Sequence, residues 1–131
     1  LNRFSLPIFL LFFFLFALNS YSLPKCEGDD TTKWNNCEGT WIKNGGKFEG
    51  EYKDGLPHGK GIFTFPDGTE FVKYVGEFRN NVVEGRGTMT FANGAIYEGE
   101  WKGNTMHGKG ICTTPDGTKS KCKFKNGVFV E

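Results

Sequence analysis

The chain has 131 residues, room for one domain and little more, with 16 basic and 15 acidic side chains, 19 glycines and 14 phenylalanines. So even a charge balance argues against a nucleic-acid binder, which carries a basic excess. The glycine content points to many turns and little helix.

Residues 1–22 follow the three-part order of a secretory signal. Arg3 supplies the only charge, 6–18 is apolar apart from Pro7, and Ser20-Tyr21-Ser22 puts small residues where a signal peptidase reads. Cleavage is expected after Ser22. The apolar run of about a dozen residues is shorter than the about 20 that a bilayer-spanning helix needs; an uncleaved N-terminal anchor is the alternative. A lipoprotein fits less well, because Pro24 and Lys25 precede Cys26. Without residues 1–22 the chain holds 15 basic and 15 acidic side chains. A domain this small buries a thin core and needs covalent help.

After an N-terminal segment, 23–36, that holds Cys26, residues 37–131 carry an internal repeat. Phe48-Glu49-Gly50-Glu51-Tyr52, Tyr74-Val75-Gly76-Glu77-Phe78 and Tyr97-Glu98-Gly99-Glu100-Trp101 are copies of one segment. Each is followed by a second: His58-Gly59-Lys60-Gly61, Glu84-Gly85-Arg86-Gly87, His107-Gly108-Lys109-Gly110. Then come Pro66-Asp67-Gly68, Ala92-Asn93-Gly94 and Pro115-Asp116-Gly117. The period is about 23 residues, that of small stacked units. Partial copies flank the array. Cys37 to Trp41 takes the G-x-G place with Asn44-Gly45 as its turn, and Ser120 to Phe124 takes the aromatic–glycine–aromatic place.

Alternation within each copy puts Phe48, Gly50, Tyr52, Tyr74, Gly76, Phe78, Tyr97, Gly99 and Trp101 on one face and charges on the other. These nine residues are the expected repeat core. The Asp-Gly and Asn-Gly pairs predict tight hairpin turns, and the glycine between two aromatics leaves room for a neighbour to approach. One hairpin is marginal in water; a stack of them buries a continuous aromatic row. The expected fold is all-β.

These motifs resemble the MORN repeat, whose pattern runs Y-x-G-x-[WF] and then G-x-x-x-H-G-x-G. Tyr97, Gly99, Trp101, Gly103, His107, Gly108 and Gly110 fit it closely. The upstream copies depart by Phe48 for the lead tyrosine and Glu84 for the histidine. The resemblance covers roughly 37–127, and the order of a signal, a cysteine pair near the mature start and then a few repeats looks like small exported bacterial proteins of that type. It implies an elongated, slightly twisted, single-layer antiparallel sheet that works through contacts with membranes and other proteins.

Four cysteines in an exported chain suggest two disulfides. Of the three pairings, Cys26 with Cys37 and Cys112 with Cys122 places one staple at each end of the array, where a stack frays most easily. Free thiols and a metal site are the alternatives; the spacing lacks zinc knuckles.

No catalytic set and no cofactor are expected. His58 and His107 follow the repeat, and units about 10 Å apart cannot share one ion. The G-x-G pairs lack the frame of a phosphate loop. Glu49, Glu51, Glu77, Glu98 and Glu100 read as a solvated face. Lys119, Lys121, Lys123 and Lys125 alternate on one face of the last strand. They protect an exposed edge or form an anion-binding patch. The apolar Val128, Phe129 and Val130 dock a partner or cap the stack.

The expected function is a non-catalytic scaffold, secreted or periplasmic, that binds an envelope protein. A peripheral module for anionic lipid is the second reading. An envelope-polymer hydrolase finds no supporting constellation. End-to-end homodimers are open to a sheet with two free ends, and no nucleic-acid partner is expected.

Overall fold

The computed structural model describes residues 21–131; the signal-like stretch lies outside the described residues except for its last two positions. A single 3₁₀ turn, Thr31–Lys33, precedes nine strands: β1 Cys37–Lys43, β2 Gly46–Lys53, β3 Leu56–Thr64, β4 Phe71–Arg79, β5 Val82–Phe91, β6 Ile96–Lys102, β7 Thr105–Thr113, β8 Lys119–Lys125 and β9 Val128–Phe129. They form one antiparallel sheet in which every strand pairs with its neighbours in sequence. The array is thus an open, all-β, single-layer meander, as the alternation and the repeat require.

Register is set by a row of glycines crossing the sheet. Gly39 faces Gly50, then Gly61, Gly76, Gly87, Gly99 and Gly110 follow strand by strand, and Cys122 ends the row opposite Gly110. The row is the floor on which the large rings lie. A Cβ on Gly61 would stand 2.5 Å from the Phe48 ring, one on Gly87 2.2 Å from the Tyr74 hydroxyl, and one on Gly110 2.6 Å from Tyr97. Trp34 covers Gly39 in the same way, at 2.5 Å. This indole comes from the segment before the first strand, so 23–36 closes the N-terminal end of the aromatic row.

Asn44-Gly45 forms the tight hairpin that the sequence predicts, and the turns of the three full units differ from the expectation. The two-residue turns with positive φ at both positions are Asn44-Gly45, Asp54-Gly55, Asn80-Asn81, Gly103-Asn104 and Asn126-Gly127, the backbone of primed hairpin turns. The Pro66-Asp67-Gly68, Ala92-Asn93-Gly94 and Pro115-Asp116-Gly117 sequences instead lie in longer loops, with positive φ only at the glycine, at the end of the sheet where Asn44-Gly45 also turns. Side chains shape those loops: the Asp116 carboxylate accepts from Thr114 and Thr118, which holds it well below the usual range, at about 2.

Candidate functional site

One face of the sheet is a continuous chain of rings. It begins at Trp34, which meets Tyr52 edge-on at 4.8 Å between centroids, and passes to Phe48 at 5.4 Å and Phe78 at 5.0 Å. It continues through Tyr74 at 5.2 Å, Trp101 at 5.3 Å and Tyr97 at 5.4 Å. Phe124 at 5.2 Å and Phe129 at 5.6 Å end it. Each contact is T-shaped, a geometry that contributes about 0.5–1.5 kcal/mol beyond area burial. Phe48, Tyr52, Tyr74, Phe78, Tyr97 and Trp101 are all buried. At the loop ends of the strands a second line forms, Phe63, Phe65, Phe71 and Phe91, with centroids 4.8 to 5.6 Å apart.

Four of the polar tips on this face have backbone partners. The Tyr74 hydroxyl donates to the Glu77 carbonyl and the Tyr97 hydroxyl to the Glu100 carbonyl. The Trp101 indole N–H donates to the Gly87 carbonyl and that of Trp34 to the Gly28 carbonyl. Tyr52 has no hydrogen-bond partner for its hydroxyl among the described residues. Burial pushes the Tyr52 and Tyr74 phenols up to about 12 and raises that of Tyr97.

The titratable residues that recur in the repeat hold backbone. Glu51, Glu77 and Glu100 sit where β2, β4 and β6 bulge. Their carboxylates accept the N–H of Lys60, Arg86 and Lys109 on the next strand. The residue before each of these donors is Gly59, Gly85 or Gly108, all with positive φ. A Cβ on Gly59 would stand 1.9 Å from the Glu51 carboxylate, so the glutamate and the glycine work as a pair. His58, Glu84 and His107 clamp the tight turns. His58 Nδ1 accepts from Asn80 N–H at 3.2 Å, Glu84 from Gly103 N–H at 3.2 Å and His107 Nδ1 from Asn126 N–H at 3.3 Å. Asn35 does the same for Asp54 at 3.0 Å in the first unit. Among the described residues no three His, Cys, Asp or Glu gather into a metal-binding group.

Three glutamates that read from sequence as merely solvated are therefore structural acceptors. The signal is present in the recurring Gly-Glu, set against a glycine before Lys or Arg, and it needs the strand register to be read. Glu49 and Glu98 do remain on the outer surface, Glu49 in an exposed pair with Lys47 at 2.8 Å.

Lys119, Lys121, Lys123 and Lys125 are all exposed on one face of β8. Lys109 stands directly opposite Lys123. Arg86, Lys109, Lys121 and Lys123 share the rim of a hollow of about 600 Å³ with Glu98 and Glu131. Glu131 reaches Lys123 at 3.6 Å between exposed side chains, a contact worth little in stability. β9 pairs with the end of β8, yet Val128, Phe129 and Val130 stay at least half exposed. Phe129 caps the ring chain with one side only.

Cys26 is bonded to Cys37 and Cys112 to Cys122, with Cα atoms 5.0 and 5.9 Å apart. The first ties the N-terminal segment to β1 and the second ties β7 to β8. Paired cystines of this kind are consistent with a location outside the cytoplasm.

The MORN repeat family model matches residues 48–70, 74–96 and 97–119, more than half of the chain. The matched units begin at Phe48, Tyr74 and Tyr97, the rings that lie on the glycine row. No curated protein matches the chain. MORN repeats are generally modules for contact with proteins and membranes, and typically not catalytic.

Proposed function

The chain belongs to the MORN repeat family, and we propose that it is a non-catalytic scaffold, exported to the periplasm or cell exterior, that binds an envelope protein. One observation carries the reading. The carboxylates of Glu51, Glu77, Glu84 and Glu100 and the imidazoles of His58 and His107, groups of the kind acid–base chemistry would need, are committed to backbone N–H groups of neighbouring strands and turns. What remains for function is surface. Export is supported by the two cystines and by the signal-like order of residues 1–22. In-cell cross-linking from Glu49 or Lys121 replaced by a photoreactive residue should trap a defined envelope protein. Recovery of no specific adduct from either position would sink the proposal.

A second reading, a peripheral module for anionic lipid, is favoured by the four exposed lysines of β8, two of which, Lys121 and Lys123, share the rim of one hollow with Lys109 and Arg86. Co-sedimentation with anionic vesicles that weakens with salt, and that Lys121→Glu with Lys123→Glu abolishes, supports it. Equal sedimentation with neutral vesicles removes it.

A further inference from the structure

The two edges of the sheet are finished differently. On β1, residues 24–26 lie alongside Glu38, whose N–H donates to the Pro24 carbonyl and whose carbonyl accepts from Cys26 N–H, each at 2.8 Å. The Cys26–Cys37 disulfide holds that cover in place. On β8 the cover is the tail of the chain. Val128 and Phe129 pair with Lys125 and Phe124. At Lys123 the carbonyl accepts from Val130 N–H at 2.8 Å, and the N–H donates to the Glu131 carbonyl. Residues 126–131 hold no cysteine to tie this cover down, and Val128, Phe129 and Val130 stay at least half exposed.

The cover stops at Lys123, and the strand does not. Successive residues of an antiparallel strand turn their backbone groups alternately to its two sides. Those of Lys123 point away from β7, toward the tail. Those of Lys121 and Lys119 therefore point the same way, and neither has a backbone partner there among the described residues. The side chains of Lys119, Lys121, Lys123 and Lys125 are exposed on one face. Glu131 brings a carboxylate to that row, reaching Lys123 at 3.6 Å. The tail is thus an internal example of what this edge accepts: an extended strand with an acidic side chain on the lysine face.

We propose that the outer edge of β8 docks an acidic, extended segment of a partner protein, which pairs with Lys119 and Lys121 as a further strand and displaces the tail from Lys123. This rests on the scaffold reading and names the partner's chemistry. Strand addition draws affinity from main-chain hydrogen bonds and specificity from alternate side chains. Acids at every second position would stand across from the lysines, and opposite charges across a strand pair stabilise it where like charges oppose it. A second copy of this chain fits poorly. Pairing β8 with β8 sets lysine against lysine, and β1 carries a single acid, Glu38, already paired with Lys25. A helix arrives with its backbone groups already used, and a polyanion without amides answers the charges but leaves the edge unpaired.

The test titrates a fluorescein-labelled octapeptide of alternating Glu and Thr into the oxidised protein and its Lys121→Glu variant. The controls are an alternating Lys and Thr octapeptide and the Glu peptide N-methylated at each Glu, which keeps the charge and removes the donors that would face β8. Saturable binding of the Glu peptide below about 1 mM is expected, with none of the Lys peptide. N-methylation should weaken it about tenfold or more, through lost hydrogen bonds, and Lys121→Glu by a similar factor of about ten. At saturation the Lys121 amide should exchange with solvent more slowly, and the Val130 amide, released from Lys123, faster. Absence of binding overturns the proposal. Binding that N-methylation leaves unchanged, or that alters neither amide, overturns it too and marks a contact of charge alone. If the proposal fails while cross-linked adducts persist from Glu49 or Lys121, the scaffold reading survives without this edge; if the adducts are also absent, both fall.

Discussion

Gly87→Ala should be among the most damaging single-methyl substitutions in this protein. Gly87 lies in regular extended backbone, outside the positive-φ set, so conformational strain does not enter. The new Cβ would fall 2.2 Å from the Tyr74 Oη and 2.3 Å from its Cζ. The ring cannot retreat: Tyr74 is fully buried, with Phe78 at 5.2 Å on one side and Trp101 at 5.3 Å on the other. Overpacking of a rigid core costs about 1–3 kcal/mol, and displacing the hydroxyl from the Glu77 carbonyl adds about 1 kcal/mol. The expected loss is about 3 kcal/mol, a fall of at least about 12 °C in melting temperature for a domain of this size. Gly46→Ala is the control. Its Cβ would first meet a partly exposed Phe63 ring at 3.1 Å, and it should cost under about 1 kcal/mol. Urea and thermal melts of both variants decide the matter. Equal destabilisation would refute the account of a glycine floor beneath the rings. A Gly87→Ala, Tyr74→Leu double variant should lose less than the two single variants together.

Trp101→Ala removes a buried ring, two edge-on contacts and the bond to Gly87, and should cost about 3–5 kcal/mol in a urea melt. His107→Ala should cost about 1 kcal/mol and speed hydrogen exchange at the Asn126 amide, which loses its acceptor. His58→Glu should stay within about 0.5 kcal/mol of the parent, because Glu84 already clamps the equivalent turn in the next unit. Stability should fall between about pH 10 and about 12: the unfolded phenols ionise first, while Tyr52 and Tyr74 hold their protons in the fold. Tyr74→Phe should flatten that limb, measured by denaturant midpoint against pH. Replacing Cys112 and Cys122 by serine should cost about 2–3 kcal/mol, with exchange protection lost first in β8.

The alternation of aromatic and charged residues is enough to read the sheet, its core face and the three units, because period-two patterning and a repeat of about 23 residues are both local signals. What stays hidden depends on register. That Gly39, Gly50, Gly61 and Gly76 form one row across strands follows from pairing, and a linear reading shows only scattered glycines. The same gap conceals the work of Glu51, whose partner amide at Lys60 lies across a bulge. It also conceals Trp34, which precedes the first strand, contacts the row through a fold-back and has no repeat neighbour to announce it. A linear reading takes Asn44-Gly45, Asp67-Gly68, Asn93-Gly94 and Asp116-Gly117 alike for tight turns, and of the four only Asn44-Gly45 is one.

A repeat array makes function hardest to see where it is most regular. In the central units Glu77, Glu84, Glu100 and His107 meet backbone partners and the lead tyrosines rest on glycines, so evolution of a contact surface there disturbs a structural element. Freedom lies where the repeat breaks. At the N-terminal end Trp34 replaces a strand-borne ring, Tyr52 is left without a partner, and Trp41 and Phe63 flank a gap. At the C-terminal end Cys122 takes the glycine place, and lysines follow where earlier strands carry glutamate. The two ends thus differ in chemistry, one largely apolar and the other cationic, while the aromatic chain between them keeps both on one sheet. A partner that engages the first end is not expected to compete with an anionic surface at the second, and binding both at once would make the array a bridge.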